Sequence, residues 1–241
     1  MDRFGNRFDA TPSSAFQPVP LTAERATAFL RSVYGWMFVG LGITAAVALG
    51  VAGSPALTQA IFSNPMVFFG LVIGELALVF ILSARVQKMA PSTASALFVA
   101  YSALNGATLS FIFLAYAGTS IASTFVITAG MFGALALYGS TTKRSLAGLG
   151  HFVGMGLIGL LLAMVVGMFW HASSLQFIIS VVGVIVFTGL TAWDAQSLKT
   201  MAAVTPDNRI AGRAIVGALR LYLDFINLFL FLLRFLGARR D

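Results

Sequence analysis

Cysteine is absent, so the chain has no disulfide, no thiolate nucleophile and no sulfur ligand for a metal. Histidine is nearly absent too. His151 and His171 lie near opposite ends of one apolar segment and cannot share a metal ion. Charge is scarce: 10% of the 241 residues are Asp, Glu, Lys or Arg, against roughly 25% in a soluble domain. A soluble surface cannot be built from so little charge, and a mean hydropathy of +0.92 agrees. Acids are the scarcest group, 8 against 15 Lys and Arg. The net charge of +7 would suit nucleic acid in a soluble protein, but here the bases stand at the ends of apolar runs, where they mark membrane topology instead. Three further patterns are missing: a nucleophile with a neighbouring His, a paired-His metal site, and a Gly-rich turn opening a nucleotide-binding unit. The expectation is a protein that is not an enzyme and holds no cofactor or resident metal.

What the chain does have is seven apolar runs, near 32–53, 65–84, 94–116, 118–138, 149–170, 174–194 and 213–236. Each is about 20 residues long, which as a helix spans a hydrocarbon core of about 30 Å. Strands of a membrane barrel would be about half that length and would alternate in polarity, which these runs do not. The segments between them carry turn and cap residues: Gly53-Ser54-Pro55, Asn64-Pro65, Ala90-Pro91-Ser92-Thr93, Gly139-Ser140-Thr141-Thr142 and Thr205-Pro206-Asp207-Asn208. The fold class read from this is an all-α membrane protein, a seven-helix bundle over residues 31–237. Residues 1–30 hold Pro12, Pro18 and Pro20, three acids, three Arg and no apolar core, so they read as a disordered cytoplasmic tail without a signal peptide. Residues 238–241 form a short C-terminal tail.

The bases alternate in side. Arg25 and Arg31, Arg85 and Lys88, Lys143 and Arg144, then Lys199, Arg209 and Arg213 fall on one side, while loops 54–64 and 117–120 have no charge and loop 171–173 only His171. The positive-inside rule puts the first side, and the N-terminus, in the cytoplasm. Short tails and the lack of cysteine suit a bacterial inner membrane. Arg239 and Arg240 oppose this order, so the last run either crosses fully or re-enters and returns; its length favours crossing.

Acids inside the runs carry the chemistry. Asp194 ends the sixth run and Asp224 lies within the seventh. A carboxylate in hydrocarbon costs about 2.5–3.5 kcal/mol on insertion scales, so it is expected to face inward and find a partner. Arg220, Asp224, Asn227 and Arg234 fall on one face of the seventh run, which should therefore lie at the bundle centre. The two aspartates can meet only if the sixth helix continues past Asp194 toward Lys199, or if the seventh begins outside the hydrocarbon. If they meet, they resist double ionisation and share a proton, which makes a pH gate. The plainer reading is separate ion pairs: Arg85 or Lys199 with Asp194, and Arg220 with Asp224. Glu75, in the middle of the second run, either lines a cation path with Asn105 and Asn227 or is a neutral acid bonded to Asn105. An intramembrane aspartyl protease would also use two acids, but Asp224 is flanked by Leu223 and Phe225, not by glycine.

Thr188-Gly189-Leu190-Thr191-Ala192-Trp193-Asp194-Ala195-Gln196 resembles the sixth-span signature of the Bax inhibitor-1 (transmembrane Bax inhibitor motif) family. Leu221-Tyr222-Leu223-Asp224-Phe225-Ile226-Asn227-Leu228-Phe229 resembles its seventh-span signature, and Tyr101-Ser102-Ala103-Leu104-Asn105-Gly106 and Thr141-Thr142-Lys143-Arg144 match bacterial members. The resemblance covers about residues 25–237. It implies seven helices with the seventh central, and a pH-sensitive calcium leak sensed by an aspartate pair, here Asp194 and Asp224. It also implies a latch arginine in span two, where Arg85 is the arginine present. Some bacterial relatives are linked to a membrane-bound AAA protease, which would make the chain an interaction protein acting through its N-terminal tail.

Overall fold

A computed structural model of the chain describes residues 23–170, 172–206 and 209–240. Nine α-helices are present among the described residues: α1 (Ala23–Ala52), α2 (Pro55–Phe62), α3 (Pro65–Arg85), α4 (Pro91–Leu109), α5 (Ile112–Ala115), α6 (Gly118–Thr141), α7 (Ala147–Phe169), α8 (Ser173–Val204) and α9 (Ile210–Leu236). Seven of these segments are long and apolar enough to cross a membrane, α4 and α5 counting together. Proline opens α2, α3 and α4, where its missing N–H is not needed. Asn64 caps α3 by accepting from Met66 N at 3.0 Å.

The bundle is organised round α9. In its most apolar window 72% of residues are buried, against 50% for the α4–α5 span and 6% for α3. Helices α1, α4, α6 and α8 all pack on α9, while α3 lies behind α4 and α7 behind α8. Leu221, Tyr222 and Leu228 of α9 are fully buried, as is Ala218, and only a narrow stripe through Arg220, Leu223, Asn227 and Leu230 is partly open. The polar stripe expected on α9 is accordingly broken. Asp224 is buried and Asn227 half-buried, whereas Arg220 and Arg234 are exposed.

Three boundaries differ from the sequence expectation. Helix α1 begins at Ala23, because Phe29 and Val33 continue the buried face of Met37 back into the polar segment. Residues 23–30 are thus helical and not a disordered tail; the rest of that expectation, 1–22, lies outside the described residues. The third span breaks at Ser110–Phe111 into α4 and α5. Helix α8 runs ten residues past Asp194. Gln196, Ser197, Lys199 and Thr200 end the hydropathic run, but Ala195, Leu198 and Ala202 repeat at helical spacing and are buried. At 32 residues α8 is about 48 Å long, well beyond the hydrocarbon core.

The C-terminal tail is also held. Ala117 N donates to Ala238 O and Arg240 N to Ala115 O, both at 3.1 Å, and Arg240 Nη1 donates to Phe113 O. Helix α9 therefore ends beside the α5–α6 turn, at the opposite end of the bundle from the α6–α7 turn. The last segment crosses fully and does not return. Asp241 lies outside the described residues.

Candidate functional site

The extension of α8 brings Asp194 against α9, and the two carboxyl groups come within hydrogen-bond reach of one another. Both are buried: Asp194 is 7% and Asp224 5% exposed. Asp194 Oδ1 and Asp224 Oδ2 find no N–H or O–H donor among the described residues. Two carboxylates cannot donate to each other, so the contact is satisfied only when one of them holds a proton. Arg220, one turn before Asp224, places Nη1 3.9 Å from Asp194 Oδ1. That is too long for a hydrogen bond but close enough for a charge interaction. Arg220 is 43% exposed, so it approaches the pair from outside.

The remaining sequence candidates separate from this centre. Arg85 is exposed at the end of α3 and forms no ion pair among the described residues. Lys199 donates to Ser140 O at 3.0 Å instead of meeting Asp194. Arg220, read as a partner for Asp224, stands by Asp194. Asn227 Nδ2 donates to Leu223 O of its own helix at 2.8 Å and does not join Glu75.

Glu75 builds a second polar centre. Its Oε2 accepts from Asn105 Nδ2 at 3.1 Å and its Oε1 from Thr108 Oγ1 at 2.7 Å. Tyr222 donates its hydroxyl to Asn105 Oδ1 at 2.9 Å and lies 2.6 Å from Thr44 Oγ1. The network ties α3, α4, α9 and α1 together. Tyr222 and Asp224 are two residues apart on α9, so they point to nearly opposite sides. The Glu75 network and the acid pair flank the central helix. Thr108 is read from the sequence only as helix–helix glue beside Asn105, and Tyr222 and Thr44 are not singled out as site residues. A phenol inside an apolar stretch was the available signal, since a buried hydroxyl needs a partner.

The sixth-span signature also serves to dock its neighbours. Gly139 of α6 lies against the Ala192 backbone, and Gly150 of α7 against the Trp193 indole; a Cβ at either would collide. Gln196 accepts from Leu146 N at 2.7 Å and donates to Arg144 O at 2.8 Å, fastening the α6–α7 turn. Asp194 thus stands on a stretch of α8 gripped by two helices. No group of three His, Cys, Asp or Glu able to hold a metal occurs among the described residues.

A central helix packed by four others, with two more behind them and two neighbouring acids buried between α8 and α9, defines a seven-helix membrane protein built on an intramembrane carboxyl pair. The chain belongs to the Bax inhibitor-1 family: residues 26–241 match the family model described as inhibitor of apoptosis-promoting Bax1. It is 50% identical over 215 residues to the inner membrane protein YbhL of Escherichia coli, covering 88% of this chain and 92% of the relative. A Borreliella burgdorferi protein is 46% identical over 215 residues, covering 88% and 93%. A Streptococcus pyogenes membrane protein is 38% identical over 211 residues, covering 87% and 92%.

Proposed function

We propose that this protein is a pH-responsive leak pathway for cations, with the Asp194/Asp224 pair as its gate and calcium as the ion. The observation that carries the reading is the contact between two buried carboxyls with one arginine at its edge. Two adjacent carboxylates away from water do not both ionise readily, and they titrate as a unit holding one proton. Losing that proton sets like charges side by side between α8 and α9, and the strain falls on the packing of those helices. Arg220 can then hold Asp194 while Asp224 moves away. Beyond the pair, Leu228, Phe231 and Leu232 fill the space about α9, so passage requires α8 and α9 to part. Glu75 and Asn105 offer oxygen ligands on the other side of α9, chemistry suited to a hard cation. Calcium itself rests on the family resemblance.

Purified protein in liposomes loaded with a calcium-sensitive dye is expected to show flux that changes between acid and neutral pH. The Asp194→Asn/Asp224→Asn variant is expected to lose that pH dependence. Retention of the wild-type profile by the double variant defeats the reading. Absence of flux from the wild type at every pH would leave the other role, an interaction protein acting on a membrane-bound AAA protease through residues 1–25.

We further propose an inner-membrane location with a cytoplasmic N-terminus. The turns at Arg85–Lys88 and Lys143–Arg144 carry the bases, and the E. coli relative is named an inner membrane protein. Alkaline phosphatase fused after Asp241 should be active and fused after Lys143 inactive in bacterial cells. The reverse pattern would invert the assignment.

A further inference from the structure

A cleft on the flank of the bundle has no part in the reading above. Helices α1 and α6 both lean on α9 and leave between them a cavity of about 540 Å³. Ligand cavities run from roughly 300 to 1,000 Å³, so this one is large enough for an extended apolar chain. Phe38, Gly42 and Ala45 form one wall, Gly133 and Ala136 the other, and Phe225 the floor. The rim faces outward: Phe38 is 75% and Leu137 65% exposed. The position is at membrane depth, so the opening is toward lipid.

One end of the cleft is charged. Phe38 and Tyr34 continue along α1, at helical spacing, to the exposed Arg31. Ser140 closes the other wall, and its carbonyl holds the exposed Lys199 at 3.0 Å. Lys143 and Arg144 follow within three residues of the end of α6, also exposed. The acid on this stretch of α1 is Glu24, two turns beyond Arg31. An apolar slot that opens to lipid and ends in cations matches the two ends of an anionic phospholipid, an acyl chain and a phosphate. We propose that the α1–α6 cleft is a binding site for an anionic phospholipid, its acyl chain along Gly42 and Gly133 and its phosphate between Arg31 and Lys199.

The glycines make the test clean. A Cβ at Gly42 or Gly133 meets nothing within 4 Å, so larger residues enter empty space without disturbing the helices. Wild-type protein in mild detergent is offered equal amounts of dioleoyl phosphatidylglycerol and dioleoyl phosphatidylcholine, and bound lipid is read by native mass spectrometry. Preferential retention of phosphatidylglycerol is expected. Gly42→Leu/Gly133→Leu should lower retention of both lipids by about tenfold or more. Arg31→Gln/Lys199→Gln should keep chain binding and lose the preference. Equal retention of the two lipids by wild type would overturn the proposal, as would undiminished phosphatidylglycerol on the filled variant. A filled variant that retains lipid but changes from dimer to monomer would assign the cleft to a second copy of the chain instead, and would equally overturn it.

Discussion

Arg220→Gln is expected to move the pH profile of flux toward higher pH, with the shape of the curve kept. The guanidinium lies 3.9 Å from Asp194 and opposes protonation of the pair, because its positive charge favours the ionised form. Two unit charges at that distance interact by about 4 kcal/mol at an effective dielectric constant near 20. Arg220 is 43% exposed, so solvent screens much of that and only the direction of the effect is fixed by geometry. Removing the charge makes the shared proton easier to hold, so any proton-controlled step occurs at higher pH whether protonation opens or shuts the path. Arg220→Lys keeps the charge and should lie close to wild type. Arg85→Gln is the comparison: Arg85 is exposed at the end of α3 and forms no ion pair among the described residues, and its loss should leave the midpoint in place. An unmoved midpoint for Arg220→Gln would remove the latch from α9, and a moved one for Arg85→Gln would place it on α3.

That contrast shows what a sequence carries and what it does not. The seven crossings were legible because lipid demands about 20 apolar residues, and the central place of α9 because Asp224 and Asn227 interrupt such a run. Contact between Asp194 and Asp224 was legible only as a condition, since it depends on α8 continuing through Gln196, Ser197, Lys199 and Thr200. Those residues lower hydropathy while Ala195, Leu198 and Ala202 keep the helix packed. A hydropathic run measures the membrane, and a helix can be longer than the membrane. The assignment of cations was likewise out of reach. Arg220, Arg85 and Lys199 are all basic residues, and only the packing gives Lys199 to Ser140 and Arg220 to Asp194. The Glu75 network was half legible: Asn105 was a named partner for Glu75, but Tyr222 and Thr44, which extend it through α9 to α1, come from helices far apart in the chain.

Gly139→Ala is expected to lower the midpoint of thermal unfolding in detergent by about 5–10 °C, while Gly130→Ala in the same helix leaves it unchanged or slightly higher. The two changes add the same methyl group to α6. At Gly130 it meets nothing within 4 Å, and alanine is the better helix former. At Gly139 it falls on the Ala192 carbonyl, which is backbone and cannot swing aside, so the two helices must separate. Overpacking of this kind costs about 1–3 kcal/mol. Helix α7 offers a second matched pair, Gly150 against the Trp193 indole and Gly148 in the open. Ala192 and Trp193 immediately precede Asp194, so a helix pushed away there carries the carboxylate with it. Gly139→Ala should therefore also blunt the pH dependence of flux, an effect that a remote loss of stability would not have. Equal melting of the Gly139 and Gly130 variants would mean that α6 and α8 are not in close contact. A destabilised Gly139 variant with intact pH response would mean that the pair does not depend on this grip, and that α9 alone sets its geometry.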